Sequence, residues 1–526
     1  MKRQYRYLFI ISILAAVFAA ALVHILSNNK EVISQYSFVE RPARIFPEYF
    51  DTVIPPNIAP LNFRIQEEGT NYCVRIHSKQ GRTIELFNRS PKIVIPEDMW
   101  HELLNNNRGE ELYLDVFVKK QDGQWNRFST ITNKIANENI DDYLVYRKIP
   151  PVHNGWRNMG IYQRCLKNFD ELLILHNRYF QGGCLNCHSF RANHTDKMLI
   201  GIRSEKYGSS ALLVTDNIAK KIGTKFTYIA WHPSGRLAMC SVNSPGQFFH
   251  TARNEIRDVM DLDSLLVYYL LDTKTIKTSP NVSKKNRLET YPAWSPDGRY
   301  LYFCSAPILW PDRNSVLPQH LWATKYDLLR ISYDIEKDRW GELETVLSAK
   351  DTGLSILEPR ISPDGRWLLF CMCDYGSFPV YHQTSDLYIM DINAAQQTGQ
   401  YQYRRLDINS NRSESWHCWS SNSRWITFSS KRDFGVFTRI YLSYVDEAGK
   451  VYKPILLPQK DPTFYDSCLQ TYSVPELVVE PVRVTKEKLG RVVRGSRQIE
   501  VALPITMATP RAEPMPGQEY LFEERE

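Results

Sequence analysis

Tyr291-Pro292-Ala293-Trp294-Ser295-Pro296-Asp297-Gly298-Arg299-Tyr300-Leu301-Tyr302-Phe303 is the stretch on which the fold is read. An apolar strand runs into Ser-Pro-Asp-Gly, and a second strand with alternating apolar residues leaves it. Pro296 sets the turn, Asp297 bonds locally, and Gly298 takes the left-handed position. The same core recurs at residues 358–370, around Ser362-Pro363-Asp364-Gly365, and at 228–238, around His232-Pro233-Ser234-Gly235. A degenerate fourth copy, 416–428, has Ser421 and Ser423 where the others have Pro and Gly. Ser295, Ser362 and Ser420 are 67 and 58 residues apart, room for a four-stranded sheet with its loops. A hairpin repeated at this spacing implies a β-propeller.

The repeat predicts a propeller over residues 140–484, with about six blades. A Val-rich extended run at 472–484 is a candidate for the closing strand. Upstream, residues 61–138 alternate with period two in several short runs, as in 61–65 and 72–77, which predicts a small immunoglobulin-like β-sandwich. One short helix is expected at 96–104, with Pro96 at its tolerated first turn. Residues 31–60, punctuated by Pro42, Pro47, Pro55, Pro56 and Pro60, read as a linker. Residues 485–526 lose periodicity and read as a disordered tail. The fold class is all-β, with an N-terminal membrane anchor ahead of the sandwich and propeller. The 30 Tyr, 12 Trp, 29 Pro and 24 Gly of this 526-residue chain agree with many short strands and turns.

Lys2, Arg3 and Arg6 precede an apolar run, residues 8–26, long enough to cross a bilayer. The positive flank stays in the cytoplasm and the rest is exported. Residues 1–30 are therefore a signal anchor in the inner membrane, or a signal peptide cleaved after the small residues 19–21. The expected location is the periplasm. The net charge of +7, from 65 basic and 58 acidic residues, forms no dense basic stripe with interleaved aromatics, so nucleic acid is not an expected partner.

Cys184-Leu185-Asn186-Cys187-His188 has the C-x-x-C-H spacing of covalent c-type haem attachment. Two thiols can form thioethers to the vinyl groups, and the histidine can ligate the iron. Three readings of this motif stay open: one covalent haem c on Cys184, Cys187 and His188; a structural turn, unliganded or closed by a disulfide; and another metal. Met198, ten residues after His188, is a candidate sixth ligand. A zinc site lacks a second ligand pair with recognisable spacing. Laid on the repeat, Cys187-His188-Ser189-Phe190 stands where Ala-Trp-Ser-Pro stands in the other copies. Cys240, Cys304 and Cys371 fall at near-equivalent positions of separate repeats, too far apart to bridge, and read as small buried thiols. No triad, paired carboxylates or phosphate loop stands out; Asp297 and Asp364 are turn formers.

The Ser-Pro-Asp-Gly repeat resembles the TolB-like, WD40-like propeller repeat. Over residues 50–480 the chain resembles exported TolB-like propeller proteins of gram-negative bacteria that carry Cys184, Asn186, Cys187, His188, Ser189 and Phe190 as Cys-x-Asn-Cys-His-Ser-Phe. The resemblance also takes in the segment 55–63. It implies a propeller and a haem on the motif, and no defined substrate. Two functions are expected on these grounds. One is a periplasmic haem c propeller in electron transfer or redox sensing, working with a redox partner. The other is a haem-free scaffold that binds an envelope protein or glycan.

Overall fold

The computed structural model describes residues 33–150, 158–249, 255, 257–312 and 315–501. The anchor expected at 1–30 lies outside them. Among the described residues no helix is long and apolar enough to cross a membrane.

Six four-stranded sheets follow one another along residues 143–478. Five are built in chain order, starting from strands Cys184–Arg191, Thr227–Trp231, Arg287–Trp294, Ser355–Ile361 and Glu414–Trp419. The first sheet is different. Its innermost strand is Thr471–Val478, from the far end of the chain, which pairs antiparallel with Tyr143–Ile149; Gly160–Cys165 and Glu171–His176 complete it. These six innermost strands pack against one another in a closed ring. That arrangement is consistent with a propeller, and the closing strand, Thr471–Val478, overlaps the run at 472–484 that the sequence singled out. Apolar clusters fill the gaps between sheets: Trp231 with Cys240 and Leu213, then Trp294 with Met239 and Phe303, then Phe370 with Leu328 and Met390.

The repeat forms the hairpins its residues dictate. Ser295 N–H donates to the Tyr300 carbonyl (2.8 Å) and Gly298 N–H to that of Ser295 (2.9 Å), with Gly298 at φ 73°. The degenerate copy makes the same turn. Asn422 substitutes for Asp as the partner of Ser420 Oγ (2.6 Å), and Ser423 adopts φ 60°.

The Cys-motif hairpin is registered differently from the expectation. Phe190 stands opposite Met198 as Trp294 stands opposite Leu301, so Phe190 is the counterpart of Trp294 and not of Pro296. Cys187 therefore matches Tyr291, a slip of two residues. The cause is the turn: Ala192 and Asn193, at φ 46° and 63°, reverse the chain in two residues. Asn193 Nδ2 ties this turn to the carbonyls of Trp419 (2.9 Å) and Leu477 (2.8 Å).

The N-terminal unit is a seven-stranded sheet beside a three-stranded one, with a helix at Glu97–Asn106. The stretch 31–60 is not a linker. Ser37–Pro42 pairs with Trp125–Ser129, Ile45–Phe46 with Phe63–Ile65, and Val53–Ile54 with Ile131–Ile135. Ile54, Ile58 and Ala59 are fully buried. Its prolines end short strands without preventing burial. Contacts such as Tyr49 Oη to the Leu456 carbonyl (3.1 Å) seat the unit on the sixth sheet.

The tail expected from 485 is also ordered in its first part. Lys486–Arg494 is a helix capped by Thr485, whose Oγ accepts from Lys488 N–H (3.3 Å). Leu489 and Val493, four apart on one face, are buried beside Val214 and Phe180. Ile499 then bridges to Ile222. Residues 502–526 lie outside the described residues. Leu489→Ala is expected to cost about 2–5 kcal/mol in urea unfolding; a cost near zero would mean that the helix does not pack.

Candidate functional site

The six innermost strands each carry a bulge or register shift, and the residue there faces the axis. In order these are Cys187, Tyr228, Tyr291, Glu358, Trp416 and Val474. A bulge sets two residues against one and re-aims a side chain. Five of the six take left-handed backbone, φ 39° to 54°. These residues are not glycine, so each is strained, and the closed ring over-determines them. Tyr228 packs on Tyr291 (centroids 4.2 Å) and stacks with Trp416 (5.9 Å). The aromatics form a collar between a narrow buried neck and a wider funnel.

The funnel encloses about 1270 Å³, open solvent included. Among the described residues, Arg147, Arg203, Arg257 and Lys431 border it against one carboxylate, Glu255. Lys431 pairs with Glu255 at 2.7 Å. Arg257 lies over the Tyr381 ring at 4.5 Å, and Arg203 reaches Cys184 Sγ at 3.7 Å. The funnel thus has a cationic wall and an aromatic floor.

Cys184, Cys187 and His188 lie on the extended strand Cys184–Arg191 and are 2%, 7% and 1% exposed. The bulge parts them. Both thiols border the funnel, while His188 turns into the neck. Neither ring nitrogen of His188 has a well-aligned hydrogen bond; the carbonyls of Val145 and Val474 lie nearest in effect. Burial, aided by Arg147, pushes its pKa down to about 3. A haem iron bound to His188 needs space for a porphyrin over the imidazole, and the neck gives none. The residues do not fit a haem ligated by His188. Met198 is fully buried in the apolar layer with Phe190 and Ile200 and is not among the residues that line the funnel. None of the ten cysteines is in a disulfide, Cys184 and Cys187 included. Burial raises the Cys187 pKa.

The neck holds a group that spacing in the sequence did not reveal. Glu358 on the fifth sheet's first strand, Cys371 on its second and His417 on the sixth sheet converge, all buried. Cys371 Sγ lies 3.5 Å from Glu358 Oε2 and 3.6 Å from His417 Nδ1. His417 Nε2 faces the Leu369 carbonyl at 3.2 Å. Trp416 N–H donates to Glu358 Oε2 (2.6 Å). Burial pushes Glu358 up to about 7, His417 down to about 3, and the Cys371 thiol well above its usual range. Arg360, beside them, pairs with Glu476 at 2.7 Å. The sequence signal was partial: Cys371 read as a buried thiol, and nothing in its spacing joined it to Glu358 or His417.

No family model matches the chain, and no curated protein matches it. Among solved structures it is similar to puromycin hydrolase (16% identity, 60% of this chain and 45% of that chain, TM-score 0.34). It is also similar to the oligogalacturonate lyase of Vibrio parahaemolyticus (11%, 78% and 100%, 0.35) and to the hydrazine synthase of Kuenenia stuttgartiensis (14%, 50% and 63%, 0.30). The chain spans less than half the length of the puromycin hydrolase chain.

Behind the collar, Asp261 is fully buried, accepts from Asn243 Nδ2 (2.7 Å), and is raised by burial to about 7 from 3.8. The native state holds this proton where the unfolded chain releases it. Its contribution to stability is therefore present below the unfolded pKa and lost as pH rises toward 7. Asp261→Asn removes the loss. The variant should gain on its parent by on the order of 1.4 kcal/mol per pH unit between about pH 4 and 7, measured by urea unfolding across that range. A pH-independent difference would show that Asp261 ionises normally.

Proposed function

We propose that the protein is a six-bladed, membrane-anchored periplasmic propeller that binds an anionic, ring-containing ligand in its axial funnel. The observation that carries this reading is the funnel lining, with four cationic side chains against one carboxylate above an aromatic floor. A flat ring stacks on Tyr228 and Trp416, and a carboxylate, sulfonate or phosphate meets Arg257 and Lys431. The location rests on Lys2, Arg3, Arg6 and the apolar run after them. In this reading the ligand is an envelope component, such as an acidic glycan or an exposed segment of an envelope protein.

The probe is anilinonaphthalene sulfonate, an aromatic anion. The folded protein should enhance its fluorescence, and Arg257→Ala with Lys431→Ala should weaken binding at least tenfold while Trp416→Ala reduces the enhancement. Unchanged binding in both variants would take the ligand out of the funnel.

A second reading has one observation in its favour. Cys184 and Cys187 both border the funnel, so thioether attachment of a haem there leaves His188 in the neck and needs another group on the iron. That protein would act in electron transfer or redox sensing. Intact mass and visible absorbance of protein from its own host's membranes decide it. A gain of one haem mass, with a Soret band surviving denaturation, supports haem; apoprotein mass from a host that matures other c-type haems removes it.

A further inference from the structure

We infer that Glu358, Cys371 and His417 form a buried binding site for one divalent transition metal, zinc above all. Zinc takes thiolate at about 2.3 Å and imidazole or carboxylate at about 2.1 Å, so tetrahedral donors stand about 3.4–3.6 Å apart. Two of the three separations here, 3.5 Å and 3.6 Å, already match; the third, His417 Nδ1 to Glu358 Oε2, is 4.0 Å.

The surroundings favour the same assignment. With its Nε2 proton directed at the Leu369 carbonyl, His417 presents the Nδ1 lone pair to the site, which is how a metal-ligating histidine is oriented. The distances above are to Glu358 Oε2, and the other oxygen of the same carboxyl, Oε1, is buried with no hydrogen-bond partner, so the group carries a desolvation cost that a neighbouring cation would reduce. Mixed sulfur, nitrogen and oxygen donors suit zinc over magnesium or calcium. Glu358 and His417 line the neck, so a fourth position opens toward it and takes water. On binding, the Cys371 S–H bond breaks, sulfur bonds to the metal, and the proton leaves to solvent. A Glu358 proton, where present, leaves with it. The positive charge of Arg360 is met by Glu476, which limits its repulsion of the ion.

The test uses the full chain, loaded with zinc and dialysed against metal-free buffer. The parent should retain one zinc per chain by mass-spectrometric metal analysis. Cys371→Ser and His417→Gln should each lose it, and a Cys184→Ser, Cys187→Ser variant should keep it. Cobalt in place of zinc should give a thiolate-to-metal charge-transfer band in the parent and in the Cys184→Ser, Cys187→Ser variant, but not in Cys371→Ser. If the Cys371 and His417 variants fail to fold, that cobalt band decides: its presence without Cys184 and Cys187 supports the site, and its absence overturns it. Zinc retained by Cys371→Ser, or lost on removing only Cys184 and Cys187, also overturns it.

Discussion

The pairing of Thr471–Val478 with Tyr143–Ile149 is the contact on which the molecule depends, because it sets Val478 opposite Tyr143 and closes the ring. Without it the first sheet would present an open edge, the sixth would lose the strand packed against its face, and the chain would be an arc of sheets with nothing to fix its curvature. Joining segments so far apart in sequence costs loop entropy that only the completed set of inter-sheet clusters offsets. The closing strand also supplies Val474, the last axial residue, and Glu476, the partner of Arg360. Closure and the neck are therefore one structural event.

A bulge recurs on each innermost strand of the ring. All six innermost strands are interrupted at matching places, and the residue there is turned inward in each sheet. The feature recurs whatever residue stands there, so the left-handed backbone of Glu358 or Trp416 is by itself no sign of function. What differs is the side chain. Tyr228, Tyr291 and Trp416 make a collar, Glu358 puts a carboxyl into the neck, and Cys187 leaves a thiol beside the funnel. The positions come from the fold, and the chemistry comes from what occupies them.

The repeat was legible because Ser295-Pro296-Asp297-Gly298 carries its structure in local bonds and one left-handed glycine. The β class and the hairpins could be read from it. The register of the Cys-motif copy could not, since Ala192-Asn193 closes its hairpin in two residues and leaves no Pro or Gly to mark the place. Tertiary context overrode composition twice more. The prolines of residues 31–60 suggested a linker, yet Val53–Ile54 borrows its pairing from Ile131–Ile135, a partner invisible locally. The basic stretch after 485 suggested disorder, yet Leu489 and Val493 lie four apart and find an apolar surface shared by the first and second sheets.

The same distinction separates the two candidate chemistries. C-x-x-C-H is a spacing, and spacing says which residues are neighbours along the chain but not where they point; here Cys184 borders the funnel, His188 lines the neck, and Cys187 at the bulge stands between, bordering both. Glu358, Cys371 and His417 have no meaningful spacing, since they come from three strands of two sheets and meet only when the fifth and sixth sheets pack together. Burying a carboxyl, a thiol and an imidazole together costs stability unless each is satisfied. The partial hydrogen bonding among them leaves Glu358 Oε1 unmet. A metal ion would discharge most of that cost, since one cation satisfies all three donors at once.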